Sequence, residues 1–386
     1  MTSAASPIAP APAPERSNPR RRSRINPLRT AGPTWFVTVM GTGIVANAVT
    51  FAPVDGWAAR GFAAAVWIVA AVLLVLVSAV TVVQLRRRAA DDMGAPAGPG
   101  AVAFWGTMPM ALTTVGTGAL LDAAPLLGST LGLAVALVLC GAGTVIGVVV
   151  AVTVPVAWAR RRTWALADVA PVWILAVVPP MVSAAALGGI LPRLSEGPER
   201  AALLVAGYGL FGLGLALSLT VITVVVLRIA VHGPGPTAAA PTVFIVLGPL
   251  GQSVTAACLL GAFAREVVPG PLGAGLDGFA TGFGVVVIGV AMVWLPVAVA
   301  IVARAVRRGM PFALTWWSFT FPIGTCVTGT SLLAARVDVA AVEALALTLL
   351  AALVLVWVTV LVRTALGVLR SGMLPRLLRD GRSRAV

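Results

Sequence analysis

Proline and hydroxyl-bearing residues are concentrated in alternate members of a series of long apolar stretches. A proline frees a backbone carbonyl and bends a helix. Within a bilayer, such freed polar groups are tolerated only where protein or a water-filled cavity meets them. The pattern therefore predicts a polar path lined by carbonyl and hydroxyl oxygens. The residues that carry it are Pro109, Pro179, Pro180, Pro249 and Pro322, with Gly41-Thr42-Gly43 in place of a proline in the first stretch.

The predicted pore-lining residues have a small polar side chain or lie beside such an irregularity. Each hydroxyl has an alternative role, because a buried Ser or Thr often donates back to a carbonyl of its own helix. The glycines have an alternative as well, since small residues are common where membrane helices pack tightly. The candidates are Gly41, Thr42, Gly43, Thr113, Thr114, Pro179, Ser183, Pro249, Ser253, Thr255, Thr320, Pro322 and Thr325.

Ten stretches are free of charged residues and long enough to cross a bilayer, whose core needs about 20 apolar residues per helix. Arginine supplies all 27 basic residues, and most of them fall on one side of the series, including three at 20–22. The positive-inside bias therefore predicts a multi-pass protein of the plasma (inner) membrane with both termini in the cytoplasm. The stretches are 34–53, 62–85, 104–121, 131–157, 171–191, 203–227, 241–262, 278–303, 311–331 and 344–362.

The predicted fold class is an all-α integral membrane protein made of five tandem helical hairpins. Each hairpin starts from the cytoplasmic side, so all five point the same way. The odd helices carry the prolines and hydroxyls and are expected to form an inner ring around a pore, with the even helices as an outer ring. Residues 33–365 are predicted to form this domain, between a disordered Arg/Pro/Ala-rich tail at 1–32 and an Arg-rich tail at 366–386.

Composition narrows the possible functions. The net charge of +14, with only 10% charged residues, indicates membrane topology and contact with anionic lipid, and no nucleic-acid partner is expected. A lone histidine and three cysteines in apolar stretches predict neither a metal site nor a cofactor. The stretches hold no ionisable residue, which argues against an enzyme and against a proton relay. Asp122, Asp338 and Glu343 lie at the outer ends of stretches and are interpreted as solvated loop charges.

Four of the odd stretches resemble the tellurite-resistance/dicarboxylate transporter family, also called voltage-dependent anion channels. Its members include plant slow anion channels, fungal malate permeases and yeast sulfite efflux pumps, and the pattern here looks closer to the malate and sulfite branch. The resemblance extends over about residues 33 to 365. The segments are PTWFVTVMGTGIVA at 33–46, PVWILAVVPPMVSAAALGG at 171–189, PTVFIVLGPLGQS at 241–253 and FALTWWSFTFPIGT at 312–325.

The resemblance implies a trimer with one pore in each protomer and a phenylalanine that plugs the pore. The matching position is Phe321, immediately before Pro322, and Phe319 is the nearest rival. It also implies passive, gated transport of small anions such as chloride, nitrate, sulfite or C4-dicarboxylates such as malate. Two alternatives of the same fold are a proton-coupled dicarboxylate carrier and a sulfite or tellurite efflux transporter.

Overall fold

The computed structural model describes residues 32–90, 99–160 and 165–370, and this part of the chain is helical almost throughout, with no β-strand. Residues 1–31 and 371–386, which hold most of the two predicted tails, lie outside the described residues. The longer helices are α1 (Phe36–Phe51), α2 (Trp57–Ala90), α3 (Thr107–Leu121), α4 (Ala124–Ala159), α5 (Pro179–Ile190), α6 (Pro198–His232), α7 (Leu247–Val267), α8 (Pro271–Arg307), α9 (Thr320–Val337) and α10 (Ala340–Arg370).

Short helical pieces lie directly before some of the longer helices or in the connections between them. Two of them are α-helical, Pro99–Ala103 and Ile174–Val177. The 3₁₀ pieces are Pro33–Trp35, Phe104–Gly106, Leu166–Asp168, Pro171–Trp173, Leu191–Arg193, Thr237–Val246 and Leu314–Phe319. The first of these runs directly into α1, and the last runs directly into α9, so a predicted span can begin as 3₁₀ and continue as α.

Seven of the described helices are long and apolar enough to cross a membrane, and the bent pair Pro171–Val177 and Pro179–Arg193 makes an eighth if it is counted as one span. The protein is therefore an all-α membrane protein. The predicted stretches 104–121 and 311–331 coincide with α3 and α9, which fall outside this count. Helix α3 has only 15 residues. Helix α9 carries several hydroxyl residues and Arg336, which lower its hydropathy.

Burial separates the helices into two classes. The apolar segment that ends in α1 is 78% buried and the one that ends in α7 is 94% buried, whereas α2, α4, α6, α8 and α10 are only 17–33% buried. The apolar faces of the second class are exposed, and lipid chains are the environment in which such surfaces are stable. Helices α3, α5 and α9 are also buried over most of their length.

Each buried helix contacts the next buried helix along the chain, and the last one contacts the first. Helix α1 contacts α3, α3 contacts α5, α5 contacts α7, α7 contacts α9, and α9 contacts α1. Each buried helix also packs against the exposed helix that follows it in the chain, from α1 with α2 to α9 with α10. Side chains on the inner faces of the buried helices therefore meet along one axis.

The prolines of the buried helices do not lie in helix interiors, which corrects the expectation of mid-helix bends. Pro179 is the first residue of α5, and Pro109, Pro249 and Pro322 are each the third residue of their α-helix. A proline in the first turn has no helical hydrogen bond to lose, so it begins a helix without breaking one. At α5 the axis does turn, by 48°.

Ion pairs join four helices near one end of the bundle. Arg336 of α9 donates to the Asp277 carboxylate of α8 at 2.7 Å and to the Cys258 carbonyl of α7 at 2.8 Å. Arg265 of α7 also pairs with Asp277, at 3.0 Å, and Arg200 of α6 pairs with a carboxylate of α7 at 2.7 Å. These contacts fix α7, α8 and α9 relative to one another, because Arg336 and Asp277 are mostly shielded from solvent.

The three cysteines are free thiols and all are buried. Cys140 lies in α4, Cys258 in α7 and Cys326 in α9, where small side chains allow close helix contacts.

Candidate functional site

Two small cavities, of about 20 Å³ and about 30 Å³, lie between the buried helices, and all five buried segments contribute residues to both. We call them the apolar cavity and the polar cavity, after the side chains in their walls. The apolar cavity is lined by Val37, Met40, Met110, Ile174, Leu175, Val178, Ile245, Gly248, Pro249, Ser318, Phe321 and Pro322. The polar cavity is lined by Ile44, Asn47, Phe51, Thr114, Thr117, Val182, Ala185, Ala186, Gln252, Thr255, Leu259, Phe321 and Thr328.

Phe321 is the one residue that lines both cavities. It is the second residue of α9, directly after the 3₁₀ segment, and only 3% of it is exposed. Phe321 therefore belongs to the walls of both cavities. Phe319 has a different position, because it packs edge-on against Phe244 with ring centroids 4.8 Å apart and lines neither cavity.

The cavity walls follow single helical faces. In α1 the lining residues are Val37, Met40, Ile44, Asn47 and Phe51, spaced by three and four residues. Residues at this spacing lie on one side of an α-helix. A continuous stripe of α1 thus faces the two cavities, and Asn47 is its one polar member.

Four of the thirteen predicted pore-lining residues line a cavity. Thr114 and Thr255 line the polar cavity, and Pro249 and Pro322 line the apolar cavity. The other nine are absent from both walls. They are Gly41, Thr42, Gly43, Thr113, Pro179, Ser183, Ser253, Thr320 and Thr325.

The Gly41-Thr42-Gly43 segment faces neighbouring helices. Thr42 accepts a hydrogen bond at 3.3 Å from the indole Nε1 of Trp357 in the exposed helix α10. A Cβ on Gly41 would collide with the Thr320 hydroxyl, and one on Gly43 would lie 2.9 Å from a methyl carbon of Thr114. Both glycines therefore serve close helix packing at these positions.

Most of the remaining hydroxyls bond to the backbone. Thr113 donates to the Pro109 carbonyl at 2.7 Å, Ser253 to Leu250 at 2.8 Å and Thr320 to Trp317 at 2.9 Å. Thr325 lies near two carbonyls, one of its own helix and one of α7. Ser183 is buried and its oxygen has no hydrogen-bond partner among the described residues. Pro179 packs against α4, since a Cβ on Gly147 would lie 2.9 Å from it.

Two side-chain amides of the polar cavity were not among the sequence candidates. Asn47 is 5% exposed and Gln252 is 4% exposed. Asn47 donates to the Thr114 carbonyl at 3.3 Å, while its Oδ1 has no partner in the described part of the chain. A signal existed, because apart from Gln84 these are the only carboxamides in the ten apolar stretches. The candidates were chosen for their hydroxyl groups or for their position beside a proline or glycine, so the two amides were not included.

No charged side chain lines either cavity. Asp122, which follows α3 directly, lines neither cavity, and its interpretation as a solvated loop charge is wrong. Asp122 is 4% exposed, accepts a hydrogen bond from the Thr50 hydroxyl, and has an Oδ2 without a partner among the described residues. Burial raises the pKa of this carboxyl to about 7, and the Thr50 hydrogen bond opposes the shift. Asp122 lines a third cavity, of about 180 Å³, together with Asp55 and Arg60.

Comparison with known proteins shows which family the chain belongs to. Residues 30–365 match the model of the voltage-dependent anion channel family, which is most of the chain. The chain belongs to the voltage-dependent anion channel family. A sulfite efflux pump of Arthroderma otae is 24% identical over 81% of this chain and 84% of its own length, and one of Trichophyton rubrum is 25% identical over 78% and 80%. An uncharacterized transporter of Methanocaldococcus jannaschii is 26% identical over 55% of this chain and 60% of its own length. The protein is thus a member of a family of membrane anion transporters.

Proposed function

We propose that the chain forms a gated pathway that carries small anions across the membrane along the axis of its five buried helices. The observation that carries this proposal is the pair of cavities lined by the same five segments, with Phe321 in the walls of both. A phenyl ring across a narrow uncharged path blocks it, because the ring fills the path and excludes water. Movement of the Phe321 ring would join the two cavities.

The architecture that fits this pathway is a set of ten spans in five hairpins. Helices α3 and α9 add two spans to the eight that qualify by length and hydropathy, because each packs between neighbours that do qualify. The closed sequence of contacts supports an inner ring with an outer jacket. The arginine distribution supports cytoplasmic termini and an inner-membrane location. A homotrimer completes the proposal and is supported by the family resemblance alone.

The electrostatics of the path favour passage over tight capture. A fixed cation would hold an anion, but the cavity walls contain none. Several α-helices begin beside the apolar cavity, where Gly248, Pro249, Phe321 and Pro322 lie in first turns, and the N-terminal end of a helix carries partial positive charge. These fixed dipoles stabilise anions in the path more than cations. Transport would then follow the concentration gradient and the membrane potential.

Sulfite is the first substrate to test, because sulfite efflux pumps are among the relatives. Chloride, nitrate and C4-dicarboxylates such as malate are the other members of the proposed class. A proton-coupled carrier of the same fold is a second candidate, and the buried Asp122 gives it an ionisable group near the end of a buried helix. That carrier would move malate or sulfite in proportion to a pH gradient and without current.

The test is anion flux into liposomes that contain the purified protein, under an imposed potential and separately under a pH gradient. The Phe321→Ala variant is expected to raise voltage-driven flux at least about tenfold, because it removes the ring between the cavities. Phe319→Ala is the matched comparison, since it removes the same ring from a packed aromatic contact. Equal flux in Phe321→Ala and the parent would contradict the gate, and flux only under a pH gradient would favour the coupled carrier.

A further inference from the structure

Three of the four hydroxyls in the wall of the polar cavity, those of Thr114, Thr255 and Thr328, already donate their protons to other groups. Thr114 donates to the Met110 carbonyl at 2.6 Å. Thr255 and Thr328 lie 2.7 Å apart, oxygen to oxygen, and each also reaches a backbone carbonyl at 3.1 Å. A hydroxyl has one proton and two lone pairs. The oxygens of these three threonines therefore present lone pairs, and no free proton, to a solute in the cavity.

The two side-chain amides of the cavity wall, those of Gln252 and Asn47, supply hydrogen-bond donors as well as acceptors. The Gln252 side chain makes no hydrogen bond to another described residue, although it is 96% buried, so both of its N–H groups are available. Asn47 has a buried Oδ1 without a partner in the described part of the chain. Buried polar atoms of this kind are costly unless something in the cavity bonds to them. The wall therefore combines amide donors with a larger set of acceptors.

A bare anion fits this wall poorly. Chloride and nitrate can only accept hydrogen bonds, so the lone pairs of Thr255, Thr328 and Asn47 would repel them. An anion that carries its own O–H can accept from the Gln252 amide and donate to one of those oxygens. Hydrogen carbonate, hydrogen sulfite and a half-ionised dicarboxylate share this chemistry.

We propose that the polar cavity selects singly protonated oxyanions, with Gln252 as donor to the anion and with Asn47 and the Thr255–Thr328 pair as acceptors of its proton. This inference rests on the proposed anion pathway and names the substrate class of its polar half. Nitrate and hydrogen carbonate make the sharpest comparison, because both are planar, singly charged XO₃ anions and differ by one O–H.

The experiment measures reversal potentials in planar bilayers with nitrate on one side and hydrogen carbonate on the other, on the Phe321→Ala background. We expect hydrogen carbonate to be favoured by about tenfold, the effect of one well-placed hydrogen bond. The double variant Thr255→Val/Thr328→Val keeps the side-chain shapes and should lower the ratio, and adding Asn47→Leu, which removes the last proposed acceptor, should bring it to near one. Gln252→Met should lower the current of both anions and leave the ratio in place, because both accept from the amide.

Ser253→Ala is the control, since that hydroxyl neighbours Gln252 in sequence but bonds to the Leu250 carbonyl and lines neither cavity. The single variants Thr255→Val and Thr328→Val cover the case in which the double variant does not fold. Equal permeability of the two anions, or a ratio that survives the loss of Asn47 and both hydroxyls, would overturn the selectivity proposal while leaving the pathway intact. The absence of current with any anion would instead count against the proposed function.

Discussion

The apolar and polar cavities have similar volumes and share the same five helices, yet their walls offer different partners to a solute. The apolar cavity presents Val, Ile, Leu and Met side chains. The polar cavity adds two amides and four threonines. A solute would therefore lose water in the first cavity without compensation and regain hydrogen bonds in the second. Under the proposed function, opening and selection are tasks of different cavities, with Phe321 in the walls of both.

A size series at Phe321 should give the largest effect, because it removes the boundary between the cavities by steps. We expect flux in the order Phe321→Ala, Phe321→Leu, parent, with the alanine variant at least about tenfold above the parent. Anion flux into liposomes at a fixed potential is the measurement. A leucine variant more conductive than alanine would show that ring volume is not what closes the path.

Gly251 tests whether the spacing of α7 and α9 holds both cavity walls in place. An added Cβ would collide with the backbone of Thr325 and Cys326, and backbone cannot move aside as a side-chain end can. Gly251→Ala should therefore lower stability by about 1–3 kcal/mol, seen as a lower apparent unfolding temperature in detergent. Gly289→Ala in the exposed helix α8 is the control, since a Cβ there meets nothing within 4 Å. Equal unfolding temperatures for the two variants would contradict the close contact.

A polar substitution in the apolar cavity should reduce the contrast between the cavities. Met40→Gln keeps the side-chain length and adds an amide to the wall, which favours water in the cavity. Flux should rise severalfold, roughly 2- to 5-fold, without a change in the preference among anions. Met292→Gln in α8 is the matched control, because Met292 lines neither cavity. A changed anion preference in Met40→Gln would show that selection extends into the apolar cavity.

Asp122 should make stability depend on pH. Its pKa is raised from 3.8 to about 7 in the folded protein, so between those values the folded state binds more protons than the unfolded state. Stability should therefore fall as pH rises through this window and level off above it. We expect the apparent unfolding temperature to drop by roughly 2–5 °C from about pH 5 to about pH 8. The drop should be smaller in Asp122→Asn, and an unchanged drop would assign it to other groups.

The sequence predicted the membrane class, the helical fold and the family, because long uncharged apolar stretches have few alternatives in water. It predicted the individual residues of the cavity walls less well, because the type of a side chain does not show which side of its helix it lies on. Thr42 lies two positions from Met40 and Ile44, about 200° around the helix from each, and it contacts Trp357 for that reason. Asn47 lies on the same helical face as Met40 and Ile44, at a spacing of four and three residues. Counting along that face from Met40 would have identified it. Burial of Asp122 depends on contacts from Thr50 and neighbouring loops, which no local pattern reports.

Because its three cysteines are buried, the parent chain is suited to labelling of introduced cysteines with thiol reagents. Water-soluble thiol reagents attack exposed thiolates, and Cys140, Cys258 and Cys326 offer none at the surface. A single cysteine introduced at Ser318 in the apolar cavity or at Thr117 in the polar cavity could then be modified without first replacing the native ones. Reagents added to one face of the membrane would report, position by position, how far water penetrates before and after the ring moves.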